Sequence, residues 1–340
     1  MATGSTRFIR RPISIWTKSV LKGALLLGAV LGLTGCGVAL DKRIKGRTAK
    51  ALAEHPPTGQ ILDVNGTKVH VHVEGTGPDV VLIHGAGGNW QDFTFSMVPK
   101  LRGEFRFIAI DRPAHGHTGR IANRASDVES LAEQADLLHA AATMVGAKKP
   151  IIVGQSYGGA VALAYGLRHG QDVSGLVIVS GVSNPWEGDL DIWYRLTDTW
   201  FGRHVLIPVT SAFANDQRAI ETLESIFTPD PVPEGYLDHM GYGLAIRPSQ
   251  LKTNAMMVNS LLPQIEAQSE HYGELTMPVE IVHGTADTIV PFDVHAVPLS
   301  QKLPDVELTK LDGIGHMPHH ADEPSTFAAL RRAAERAGLR

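Results

Sequence analysis

The sequence predicts an α/β protein built on a mostly parallel sheet with helices on both faces. Three observations predict it. Short continuous apolar runs recur along the chain, as in Asp79–Ile83 and Leu176–Val179. A strand covered on both faces reads this way. Stretches at helical spacing separate several of these runs, and strand–helix alternation implies parallel pairing through crossovers. The 340 residues, 43% hydrophobic and 19% charged, are enough for a full core.

In chain order, Ile61–Val64 and Thr67–Val73 flank Asn65-Gly66, a strong hairpin signal. Asp79–Ile83 is the first covered strand and runs into His84-Gly85-Ala86-Gly87-Gly88. A helical stretch near 91–101 follows. Phe105–Ile110 is the next strand and ends at Asp111. Val128, Leu131, Ala135, Leu138 and Ala142 give residues 126–145 a helical period. Pro150–Val153 is a strand leading into Gly154-Gln155-Ser156-Tyr157-Gly158-Gly159, followed by a helix over Ala160–Leu167. Leu176–Val179 is another strand. After Gly181 the alternation stops until Val279–Val282. A strand over Val306–Leu311 and a helix from Glu323 to Ala337 complete the chain. The expected organisation is core over 60–181 and 279–340, with a helical lid insertion over 182–278.

That insertion holds Trp186, Trp193, Tyr194, Trp200, Phe201 and Phe213 in its first part. Joining two sheet strands, it is expected above their carboxyl ends, where such sheets bind ligands. Its aromatics are expected mainly in a small core of the insertion, with some lining a lid.

Several function classes are excluded early. The formal charge is −4, and no long basic run follows the N-terminal region, so no nucleic-acid partner is expected. The single cysteine rules out a disulfide framework and a CxxC zinc ribbon. No Walker sequence is present, and the glycines after His84 lack dinucleotide-binding spacing. His115, His117, His319 and His320 have no zincin spacing and read as turn and surface histidines. No cofactor and no metal is expected.

The chemistry sits at three strand ends. Gly154-x-Ser156-x-Gly158 lies between a strand and a helix, where a sharp turn would strain the serine and expose its hydroxyl. A helix N-cap would be the plain alternative for Ser156 alone. Serine needs a base to act as a nucleophile. His316 follows the last strand, and Asp287 follows the preceding one, in place to orient the imidazole. Acyl transfer also needs oxyanion donors. The backbone amides of Ala86 and Tyr157 fit that need.

From about residue 60 to 338 the chain resembles the α/β-hydrolase superfamily, in its lidded esterase, haloperoxidase-like and carbon–carbon hydrolase branch. The likeness rests on His84-Gly85, Asp111-Arg112-Pro113-Ala114-His115-Gly116-His117-Thr118, Gly154–Gly159, His283-Gly284-Thr285-Ala286-Asp287 and Gly315-His316. The family usually has Gly where Ala114 stands. The resemblance implies an α/β-hydrolase fold with an eight-stranded sheet and a serine hydrolase acting on a small-molecule ester. Carbon–carbon (diketone) hydrolysis, perhydrolysis or a non-catalytic ligand-binding role on the same fold are the alternatives. Serine at the elbow argues against epoxide hydrolase and dehalogenase chemistry.

Residues 1–35 carry Arg7, Arg10, Arg11, Lys18 and Lys22 and no acidic residue, and then an apolar run from Gly23 to Leu33. This layout suits a signal peptide or an uncleaved membrane anchor. Leu33-Thr34-Gly35-Cys36 resembles the bacterial lipoprotein box, which implies lipidation of Cys36. The expected location is the bacterial cell envelope, attached to the membrane through an N-terminal lipid or helix and facing away from the cytoplasm. Residues 36–59 are expected to form a helical or flexible tether.

Overall fold

A computed structural model describes residues 36–124 and 126–340. The signal or anchor segment, 1–35, lies outside the described residues. Eight strands form one sheet: β1 (Gln60–Val64), β2 (Thr67–Gly75), β3 (Asp79–Ile83), β4 (Arg106–Ile110), β5 (Ile151–Gln155), β6 (Gly175–Val179), β7 (Val279–Gly284) and β8 (Val306–Leu311). Their spatial order is β1-β2-β4-β3-β5-β6-β7-β8. The β1–β2 and β2–β4 pairs are antiparallel, and the remaining five are parallel.

The hairpin between β1 and β2 turns on Asn65 and Gly66, with φ of 51° and 85°. Two successive positive φ values match the right-handed strand twist, which is why Asn-Gly marks this turn. The covered strands send alternate residues to opposite faces. Val81, Ile83, Ile152 and Ile178 enter one core, whereas Val80, Leu82, Val153 and Val177 enter the other.

The helices are α1 (36–54), α2 (Gln91–Thr94), α3 (Met97–Leu101), α4 (Leu131–Met144), α5 (Tyr157–His169), α6 (Ile192–Thr197), α7 (Ile207–Phe213), α8 (Asp216–Phe227), α9 (Tyr236–Met240), α10 (Tyr242–Ala245), α11 (Pro248–Asn259), α12 (Leu261–Ser269), α13 (Phe292–Lys302), α14 (Pro318–Ala321) and α15 (Glu323–Arg336). Buried residues of α4, α5 and α13 fill the first core, and those of α3 and α15 fill the second. The stretch expected as one helix near 91–101 is broken at Ser96, whose φ of −141° is not helical. Helix α4 starts later than its apolar period suggests, because Ser130 and Glu133 form a capping box.

Seven helices, α6–α12, occupy the interval between β6 and β7. Residues 36–54 are helical and docked on this layer. Arg43 Nε and Arg47 Nη2 each donate to a carbonyl at the end of α7, those of Ala212 and Ala214, at 2.7 Å. Among the described residues no helix is long and apolar enough to cross a membrane.

Candidate active site

Strand β3 feeds β4 on one side and borders β5 on the other, so the chain direction of its crossovers reverses there. Ligands bind at such a switch point, outside the strands' carboxyl ends. The loop after β3 carries Ala86, and the turn after β5 carries Ser156. Ile83 pairs with Gly154, so the two loops leave the sheet side by side.

Ser156 has φ 54° and ψ −119°, a conformation an L-residue holds only under tertiary constraint. Its N–H donates to the Val179 carbonyl at 3.0 Å, and its carbonyl accepts from Val182 N at 3.1 Å. Both bonds tie the turn to the end of β6. A Cβ at Gly158 would fall on the Ile83 and His84 carbonyls, so the turn can press against β3 only with glycine there. Ser156 makes no side-chain cap bond to α5, and the residue is buried.

His316 Nδ1 and Asp287 Oδ2 are 2.8 Å apart, both buried. The amides of Ile289 and Val290 donate to Asp287 Oδ1 at 2.9 Å each. His283 Nε2 lies 3.3 Å from Oδ2. Burial alone would raise the Asp287 pKa, but the hydrogen bonds of His283 and His316 outweigh it and hold it below the usual carboxylate range. Among the described residues no hydrogen bond joins Ser156 Oγ to His316. The Nε2 of His316 instead faces the Gln155 side-chain amide at 3.4 Å. Gln155 carries no signal in the sequence, because its contact with His316 depends on the fold of the turn.

The backbone amides of Ala86 and Tyr157 have no acceptor among the described residues. Tyr157 opens α5, whose N-terminal end favours negative charge. Arg112 lies fully buried beneath this pair. It donates to the His84 and Gly85 carbonyls at 3.0 Å and stacks 4.3 Å from the Tyr157 ring centroid. Burial lowers its pKa to about 10, which still leaves it charged near neutrality.

The insertion grips both loops. Asn254 Oδ1 of α11 accepts from Gly87 N at 2.8 Å, and Gln250 Nε2 donates to the Gly87 carbonyl at 3.3 Å. On the other side, Asp230 Oδ2 accepts from Gly315 N at 2.7 Å, beside His316. None of these three residues carries a sequence signal, since each pairs with a loop far away in the chain.

His115 and His319 are fully buried, and His320 has only 1% of its side chain exposed. The expectation of surface histidines fails for these three. His319 and His320 point Nε2 at the buried Asp92 carboxylate, at 3.3 and 2.9 Å, and Tyr236 of α9 donates to it at 2.8 Å. Burial opposes ionisation of Asp92, but the two histidines together pull its pKa well down. These three side chains offer ligand atoms within 4.8 Å of one another, the arrangement a metal would need. The three donors satisfy the carboxylate and make a buried hydrogen-bond network, in which the Nδ1 atoms of His319 and His320 have no partner among the described residues. A cavity of about 610 Å³ lies between α8 and residues 228–238, and none of Ser156, Asp287 and His316 lines it.

With this topology and a match of residues 80–330 to the alpha/beta hydrolase family model, the chain belongs to that family and is a hydrolase. Among curated relatives it is similar to the pimeloyl-[acyl-carrier protein] methyl ester esterase of Vibrio vulnificus. The two are 29% identical over 268 residues, 77% of this chain and 95% of the relative. Two solved structures share the fold. A meta-cleavage product hydrolase from Pseudomonas fluorescens has a TM-score of 0.64 at 21% identity, covering 84% of this chain and 98% of its own. An esterase from Exiguobacterium antarcticum has a TM-score of 0.63 at 21% identity, covering 81% and 99%.

Proposed function

We propose that this chain hydrolyses carboxylic esters through an acyl-enzyme on Ser156. The observation that carries the reading is the His316–Asp287 pair at 2.8 Å on the sheet edge that also holds the strained Ser156 turn. His316, held by Asp287 at Nδ1, takes the serine proton at Nε2. Ser156 Oγ attacks the ester carbonyl, and the Ala86 and Tyr157 amides stabilise the oxyanion. His316 then returns the proton to the leaving alcohol. Water, deprotonated by His316, breaks the acyl–serine bond and restores the hydroxyl. The step requires Nε2 to exchange its contact with Gln155 for one with Ser156. Such contacts often tighten only once substrate is bound. The likeness to a methyl ester esterase favours ester over carbon–carbon cleavage.

Replacing Ser156 by Ala and assaying a short-chain aryl ester tests this. Turnover should fall by about 10⁴-fold or more, and unchanged turnover would overturn the assignment. We also propose that residues 182–278 act as the lid and that Cys36 carries lipid, attaching the enzyme to the cell envelope. Support for the latter comes from the lipoprotein-like tetrapeptide Leu33-Thr34-Gly35-Cys36. Mass analysis of the membrane-extracted N-terminus should find the acylated cysteine. An intact N-terminal segment would instead indicate a helical anchor.

A further inference from the structure

Residues 200–213 form one continuous helix with a π-wound middle over Gly202–Leu206. Its inner side is buried through Gly202, Ile207, Ser211 and Ala212. Its outer side should therefore be polar, as on any surface helix. It is not. Phe201, Val205, Val209 and Phe213 recur every fourth residue, a spacing that aligns side chains along a helix. They are 60%, 38%, 42% and 58% exposed, and Trp200 at the helix start is 73% exposed. A helix apolar on both sides is expected in a core or a lipid environment.

What covers this stripe follows from the neighbouring chain. Helix α1 meets the far end of the stripe, where Arg43 lies 4.9 Å from the Phe213 ring centroid and donates to the Ala212 carbonyl. Cys36 is seven residues before Arg43, about 10 Å along a helix. The apolar segment Gly23–Leu33, outside the described residues, joins the chain just before it. The attachment point and the end of the stripe therefore lie on the same side of the molecule. Aromatic and aliphatic side chains with the exposed His204 among them suit the boundary between acyl chains and headgroups, while Arg203 is paired with Asp198.

We propose that the outer stripe of residues 200–213 is a bilayer-docking face, which lays the insertion on the phospholipid surface beside the N-terminal attachment. This inference rests on the membrane-attachment reading for its orientation, but it makes its own demand on Trp200. The test uses the full chain and its Trp200→Phe variant in vesicles of phosphatidylcholine and phosphatidylglycerol. Their difference in emission isolates Trp200. With acyl chains brominated near the headgroup, that component should fall by about half or more, while aqueous iodide leaves it largely intact. Iodide quenching without bromine quenching would overturn the inference and leave the attachment reading standing. Protection from both quenchers would also overturn it, since the stripe would then be covered by protein, such as a second copy. Failure of the full chain to float with the vesicles would overturn both.

Discussion

At the scale of single residues, backbone conformation explains several sequence choices and one departure. Ala114 stands in the Asp111–Thr118 turn at φ 61°, in the left-handed region. A glycine is usual there in proteins this chain resembles, and the structure supplies the reason. The left-handed conformation costs a residue with a Cβ about 1–2 kcal/mol, part of which the greater chain entropy of unfolded glycine offsets. Ala114→Gly should therefore raise stability by about 0.5–1 kcal/mol, read from the urea midpoint at an unchanged m-value. An equal or lower midpoint would show that the turn does not hold the strain its φ implies. Ser156 was legible at this scale because the glycines around it have no other good use at a strand–helix junction. Gln155 was not, since a glutamine between two small residues carries no pattern of its own.

At the scale of elements, the sheet is legible strand by strand, whereas of the insertion only its place and its helical class are. Strand β5 is buried along its whole length, and so is β6, so their continuous apolar runs stand out against the flanking turns. Edge strand β8 alternates more weakly, and its extent, Val306–Leu311, is still readable. Helix α8 turns Leu223, Ile226 and Phe227 toward Tyr236, but α11 buries the polar Gln250 and Asn254 against the Gly87 loop, so no single period marks out the separate helices. His319 and His320 looked like surface residues for a related reason. Their partner, Asp92, is more than two hundred positions away. The grip of α11 on the glycine-rich loop belongs to this scale and makes a prediction. Asn254 holds Gly87 N one residue past the proposed oxyanion donor Ala86. Asn254→Ala should lower kcat about tenfold through a misplaced loop, a smaller loss than removal of a direct donor, with little change in KM. A rise in KM at constant kcat would place Asn254 in substrate binding instead.

At the scale of the whole molecule, buried histidines couple folding to pH. His84 and His115 lie fully buried. Burial and then the nearby Arg112 charge lower both, His115 to about 3. His295 is lowered to about 4, by burial and then by His283. All three are neutral in the folded state at neutral pH. The unfolded chain protonates them near 6.5. Their contribution is therefore complete above that pH and is lost as pH falls toward the folded values. Each should cost about 1.4 kcal/mol per pH unit once below 6. Urea midpoints should be nearly flat from pH 8 to 7 and should decline steadily from 6 to 4. A flat profile down to pH 4 would contradict the burial of these rings as neutral imidazoles.

The proposed catalysis requires Ser156 to be an activated nucleophile rather than a strained structural serine. Intact-mass analysis after exposure to a fluorophosphonate tests this directly. One adduct should form per chain, and peptide mapping should place it on Ser156. It should be absent from Ser156→Ala and form at least about a hundredfold more slowly in His316→Ala. A folded protein that stays unlabelled, or that labels Ser156 equally fast without His316, would contradict the account.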